Sequence, residues 1–172
     1  KKVGHWTYWH ENGRELQKGE YKDGKQEGLW TYWHENGQKK EEGEWEDRKQ
    51  VGNWTYWHDN GQREKEGEYK DSKQEGLWTY WHENGQKHAE GRYKDDKQEG
   101  NWTIWHDNGE KDKEGEFKDG KMEGLWTFWH ENIQGRVKLY LELGAPGINQ
   151  ALFMSRFSAE QPWIVTHVVS SE

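Results

Sequence analysis

The chain has no cysteine and only two prolines in 172 residues. No disulfide framework, thiolate nucleophile or cysteine-ligated metal can therefore form. Aliphatic core formers are also scarce, since Leu, Ile, Val and Phe fill 22 positions. With 34% of residues charged, such a composition ordinarily marks a disordered chain. No apolar run approaches the ~20 residues of a membrane-spanning helix. Positive charge is lacking as well: the formal net charge is −8, which argues against nucleic acid or an anionic membrane as partner. Aromatic residues fill the gap. The 14 Trp, 8 Tyr and 4 Phe supply large apolar surfaces that disordered chains do not carry.

These aromatics are periodic. A string of the form Gly-x-Trp-Thr-Tyr-Trp-His-Glu-Asn-Gly starts at Gly4, Gly28, Gly52, Gly76, Gly100 and Gly124, every 24 residues and without insertion. A second half follows in each unit, as in Glu20-Tyr21-Lys22-Asp23-Gly24-Lys25. A 48-residue doubling is superimposed: Leu29, Asn53, Leu77, Asn101 and Leu125 alternate, which suggests that pairs of units were copied together. A fixed short period is the signature of a repeat array.

Each unit reads as two strands. Asn12-Gly13 and its copies signal two-residue hairpin turns, because both residues tolerate positive φ. Such a turn sets Trp6 opposite Gly19 and Tyr8 opposite Gln17, with an aromatic ring laid over the glycine. The other connection, Asp23-Gly24, becomes Asp47-Arg48, Asp71-Ser72 and Asp95-Asp96, and without its glycine it reads as a longer loop closed by Gly28, Gly52, Gly76 or Gly100. Strand alternation puts Trp6, Tyr8 and Tyr21 on one face and Thr7 with Trp9 on the other. The fold class is all-β: a single meander sheet of antiparallel hairpins. One unit alone buries too little to offset the ordering of its chain, so the units must stack.

No constellation for catalysis emerges. Equivalent histidines at 10, 34, 58, 82, 106 and 130 lie ~10 Å apart, two strands of ~4.8 Å each, whereas ligands of one metal sit within a few ångströms. The glycines open hairpins rather than helix N-termini, so they do not cradle phosphate. Neither an enzymatic activity nor a cofactor is expected.

The pattern Gly-x-Trp-x-x-Tyr/Trp-x-x-Asn-Gly, followed by Glu-Gly-x-Tyr-x-Asp-Gly-Lys-x-x-Gly, closely resembles the MORN repeat, in particular its bacterial variant. The resemblance spans Gly4 to Asn132, and the units are more alike here than is usual in that family. It implies an elongated, twisted ribbon of hairpins and a binding or scaffolding role, antitoxin-type in many bacterial members and lipid-contacting in others. It implies no catalytic residue. The expected function is therefore a non-enzymatic scaffold that binds a protein partner, or itself, through its aromatic face. The alternative is a carbohydrate or choline-type ligand stacked on an exposed indole row, or a lipid head group. Trp9, Trp33, Trp57, Trp81, Trp105 and Trp129 are the candidate binding residues, since they lie on the more polar face.

The repeat array is expected over residues 4–134, and residues 135–172 read as a short α+β cap or the start of another segment. Ile133 replaces a turn glycine. Arg136–Leu143 alternates as a strand, with Leu141 in the register of Tyr21 and Phe117. Ile148–Glu160 has helical spacing of its apolar residues, and Trp163–Val169 reads as a last strand. The chain opens on Lys1-Lys2-Val3 with no recognisable signal peptide, so it reads as processed or excerpted, and compartment, whether cytoplasmic or at the cell surface, stays open.

Overall fold

The computed structural model describes residues 1–129 in full and the backbone of 130–132, 135–143, 150–155 and 164–170. Twelve strands form one antiparallel sheet in chain order. They are β1 (Gly4–Trp9), β2 (Glu15–Lys22), β3 (Lys25–Trp33), β4 (Lys39–Glu46), β5 (Lys49–Trp57), β6 (Arg63–Lys70), β7 (Lys73–Trp81), β8 (Lys87–Lys94), β9 (Lys97–Trp105), β10 (Lys111–Lys118), β11 (Lys121–Asn132) and β12 (Gly135–Leu143). The fold is the all-β meander that the repeat implies. Two further strands, β13 (Gln150–Ser155) and β14 (Ile164–Ser170), pair with each other.

The expected register holds: Trp6 faces Gly19 and Tyr8 faces Gln17. The turn that delivers it is different. Gly13 N–H donates to His10 O (3.0 Å) and His10 N–H to Arg14 O (2.8 Å), which encloses three loop residues, Glu11, Asn12 and Gly13, with Gly13 at φ +80°. This is a type I turn with a left-handed glycine, the usual three-residue hairpin. It shifts the pairing by one, and a bulge between Tyr8 and Trp9 on the partner side restores it. The second connection is corrected in the opposite sense. Asp47 and Arg48 have φ of +48° and +71°, and Asp71 with Ser72, and Asp95 with Asp96, behave alike.

The core is a row of indoles. Trp30, Trp54, Trp78, Trp102 and Trp126 are at most 2% exposed, although a single sheet offers no second layer. Each ring lies flat against the glycine of the preceding hairpin: a Cβ on Gly19 would meet Trp30 at 2.4 Å, and one on Gly67 would meet Trp78 at 2.3 Å. The cover thus comes from the tryptophan of the following unit, not from the one paired with the glycine in its own unit, as Gly67 is covered by Trp78 and not by Trp54. Each indole N–H reaches the carbonyl next to that glycine, as Trp30 to Glu20 O (3.1 Å) and Trp102 to Arg92 O (3.1 Å). Tyr21, Tyr69, Tyr93 and Phe117 close the other side edge-on, with ring centroids 5.0–5.2 Å from the next tryptophan.

The tail departs from the repeat. In β12, Leu143 faces Gly124 and Leu141 faces Trp126, two residues out of the expected register. With Ile133 in place of the left-handed glycine, β11 runs on to Asn132 and pairs with Gly135 without a bulge. The helix expected over residues 148–160 is replaced by strand β13 over Gln150–Ser155. A short apolar run such as Ala151–Met154 fits either period, and length is the better guide. The last strand is found over Ile164–Ser170, while residues 144–149 and 156–163 lie outside the described residues.

Candidate functional site

The two edges of the sheet, where the turns lie, are used for stitching. At one edge, His10 Nε2 bonds Trp33 O (3.0 Å), and His34, His58 and His82 repeat the contact with Trp57, Trp81 and Trp105 at 2.9–3.0 Å. A carbonyl only accepts, so Nε2 carries the hydrogen in each of these imidazoles. The neighbouring asparagine works twice: Asn60 Oδ1 accepts from Gln62 N–H (2.9 Å) inside its own turn, while Nδ2 donates to Glu83 O (2.7 Å) in the next unit. The histidine ladder is thereby structural, and among the described residues no group of three metal-ligating side chains converges.

At the opposite edge Lys25, Lys49, Lys73 and Lys97 pair with Asp47, Asp71, Asp95 and Asp119 of the following turn at 2.7–3.0 Å. The lysine hydrogen bond, then its charge, holds each of these carboxyls below the usual aspartate range. Backbone bonds accompany them, Ser72 N–H to Gln50 O (2.9 Å) among them.

Between the edges lie two faces. The first is the tyrosine face, where Tyr8, Tyr21, Tyr32, Tyr56, Tyr69, Tyr80 and Tyr93 stand half-buried over the indole row. Hydroxyls pair across hairpins, Tyr56 to Tyr69 at 3.3 Å and Tyr80 to Tyr93 at 3.1 Å. Burial, then the partner hydroxyl, pushes the Tyr56 and Tyr80 phenols well up; Tyr21 is pushed up to about 12 by the same causes. Glu41, lying between Tyr32 and Tyr56, is pushed up by burial.

The second face carries the sequence-predicted row. Trp9 is 59% exposed, whereas Trp33, Trp57, Trp81, Trp105 and Trp129 are half-buried. The reason is a cation laid on each ring. Lys39 stands 5.4 Å from Trp57, Arg63 5.8 Å from Trp81, Lys87 5.7 Å from Trp105 and Lys111 5.2 Å from Trp129. Each such cation is anchored by a carboxylate three residues on, as Lys39 to Glu42 at 2.7 Å. Burial alone would raise Glu42, but hydrogen bonds from Lys39 and Thr31 outweigh it and hold the carboxyl below its usual range. In the first unit the pair is inverted. Glu15 takes the lysine position, and Lys18 takes the glutamate position and caps Trp33 at 5.0 Å. Leu29, Leu77 and Leu125 lie on this face more than half exposed. These capping cations were missed by sequence reasoning; their only signal is a basic residue recurring three positions before a glutamate.

A single-layer array of interlocked hairpins, stitched along its edges by ion pairs and hydrogen bonds and, among the described residues, uncovered on its long faces by any second layer, belongs to the class of repeat scaffolds. Four consecutive units, residues 26–47, 50–71, 74–95 and 98–119, match the MORN repeat variant family. These stretches make up half of the chain, and the protein belongs to that family. Repeats of this kind are generally protein- or lipid-binding scaffolds, and the family is a non-enzymatic one. No curated protein matches the chain. Among the described residues no helix is long and apolar enough to cross a membrane.

Proposed function

We propose that the array, residues 4–134, is a scaffold that holds a protein partner or a second copy of itself on its tyrosine face, with residues 135–172 closing one end. The observation that supports this reading is the aromatic stripe, mostly of half-buried tyrosines, with no layer above it among the described residues. Tyrosine presents a rigid apolar ring with a polar tip, and it is enriched at interfaces for that reason. An antitoxin-type role is one form of this partner binding. The indole row from Trp9 to Trp129 is the lesser surface, because a quaternary amine would compete there with a resident lysine or arginine. Lipid head groups are disfavoured by the net charge of −8.

The test uses the full chain. Sedimentation at rising concentration reports self-association as a mass above 20.7 kDa, and cross-linking reports a bound partner. Gln74→Arg and Gln98→Arg set charge between the tyrosines and should abolish either event, while Leu77→Arg on the opposite face should not. Loss with Leu77→Arg and retention with Gln74→Arg would place the interface on the wrong face and reject the proposal.

A further inference from the structure

One two-residue turn is chemically out of place. The second residue of these turns is Gly24, Arg48, Ser72, Asp96 or Gly120, always in the left-handed region. Glycine takes that conformation without strain. Ser72 and Asp96 offset it with a hydrogen bond, accepting from Gln50 N–H (2.9 Å) and Gln74 N–H (2.7 Å). A guanidinium has donors only and cannot do the same. Among the described residues Arg48 has neither a hydrogen-bond nor an ion-pair partner for its side chain. Strain without local return marks a side chain retained for what it can reach.

The sheet departs from its repeat beside that turn. Trp45 stands where other units have Tyr21, Tyr69, Tyr93 or Phe117. The hydroxyl pair seen in the tyrosine units is therefore missing for Tyr32, which is left with the hydrogen bond from Gln26 Nε2 (2.9 Å). Trp45 Nε1–H is buried without a hydrogen-bond partner. Burial pushes the neighbouring Tyr32 phenol up, only partly opposed by the Gln26 amide and the Trp45 indole N–H. Between Tyr21 and Trp45 an open hollow of about 500 Å³ lies over Gln17 and Gln26, with Lys25 and Arg48 at its rim. Lys25 is committed to Asp47 at 2.8 Å, so the uncommitted cation is Arg48.

We propose that this hollow is a binding site for an acidic saccharide, a sugar ring bearing one carboxylate. The Arg48 fork takes the carboxylate, the group it matches bidentately. The Gln17 and Gln26 amides both donate and accept, as sugar hydroxyls require, and the Trp45 indole and Tyr21 ring form the apolar walls. A bare anion would leave the amides and the ring unused. The site goes beyond the scaffold role, since it belongs to one unit and not to the whole stripe.

D-glucuronate is the probe, with the Trp45 indole N–H signal in NMR as reporter. Glucuronate should shift that signal saturably, and glucose should bind about tenfold more weakly, the loss expected of one charge-assisted pair. Arg48→Gly reproduces the Asp-Gly turn of positions 23–24 and 119–120; it should raise the unfolding midpoint and lose the glucuronate response. Trp45→Tyr restores the hydroxyl pair, takes away the indole wall of the hollow and should weaken the response too, read from the other indoles and by calorimetry. The proposal is overturned if Arg48→Gly binds glucuronate as well as the parent. It is equally overturned if N-acetylglutamate amide binds as tightly as glucuronate, which would make the site one for acidic side chains. Self-association or partner capture should be unchanged in Arg48→Gly, so failure of this site and failure of the scaffold reading give different results.

Discussion

Gly67→Ala adds one methyl group where the structure leaves no room for it. The Cβ would stand 2.3 Å from Trp78 Cδ2, 2.4 Å from Cε2 and 2.5 Å from Cγ, against a comfortable carbon contact of ~3.5–4.0 Å. The ring must retreat by more than about an ångström. It is fully buried and tethered through Nε1 to Glu68 O at 3.2 Å. A small tilt costs what overpacking usually does, ~1–3 kcal/mol. A ring that swings off forfeits the burial of ~150–250 Å², about 4–6 kcal/mol at ~25 cal/mol per Å². We expect a loss of about 3–5 kcal/mol, between those limits. No backbone strain adds to the loss, because Gly67 lacks the positive φ of the turn glycines. Alanine alone would favour a strand by ~0.5–1 kcal/mol. Urea unfolding followed by circular dichroism measures the loss, and a cycle with Trp78→Ala isolates its origin. In the Trp78→Ala background, Gly67→Ala should be neutral or mildly stabilising. A single Gly67→Ala within ~0.5 kcal/mol of the parent, or a penalty that persists without the indole, would refute the clasp.

Three further outcomes are expected. Asn60→Ala removes the bonds from Gln62 N–H and to Glu83 O and should cost about 1–2 kcal/mol in urea unfolding, with the circular dichroism spectrum unchanged. Alkali should unfold the sheet cooperatively: burial first of all pushes the phenols of Tyr56, Tyr69 and Tyr80 up, while an unfolded tyrosine ionises near ~10. Stability is then lost as pH rises above ~10, and absorbance of phenolate should grow in step with loss of circular dichroism rather than before it. On the acid side, burial and then the charge of His82, whose ring centroid is 4.4 Å away, hold His88 below its usual value. The folded state binds that proton less readily than the unfolded chain, so stability should fall as pH drops below ~6.5. His88→Gln should flatten the slope between pH ~7 and ~5, as read by thermal melts.

Much of this design is legible without coordinates. A period of 24 residues with Trp, Tyr and Gly at constant offsets points to indoles laid on glycines, although not to which strand supplies the ring, and strand alternation places Trp30 and Tyr32 together against Trp33. What composition could not reveal was the local trade between turn and bulge. Asn12-Gly13 is compatible with two loop residues or three, and the compensating bulge beside Trp9 leaves the central register identical. Asp47-Arg48 reads as too costly for a tight turn, because the stitching of consecutive turns is a contact between residues 22 apart in sequence, as Lys25 with Asp47. The exposure of the second indole row was misjudged for a related reason: the side chain that covers Trp57 is Lys39, on a different hairpin. The helix expected over residues 148–160 failed where apolar spacing was short enough to suit a strand.

The clasp gives the array a direction. Trp30 faces Gly43 across one side of its strand, but its ring covers Gly19 on the other. Every hairpin is thus finished by the next one, and a tryptophan is sheltered only if a glycine strand lies before it. Trp6 shows the consequence. It opens the same Trp-Thr-Tyr-Trp stretch as Trp30 and stands opposite Gly19 as Trp30 stands opposite Gly43, yet it is 39% exposed where Trp30 is fully buried. The difference is the strand that would stand on the open side of β1, not the residue. Cooperativity in such a sheet therefore resides in the interfaces rather than in the units. A lesion in one glycine should weaken the hairpin that supplies the ring as well as the one that bears the lesion, and the two losses should be inseparable in unfolding.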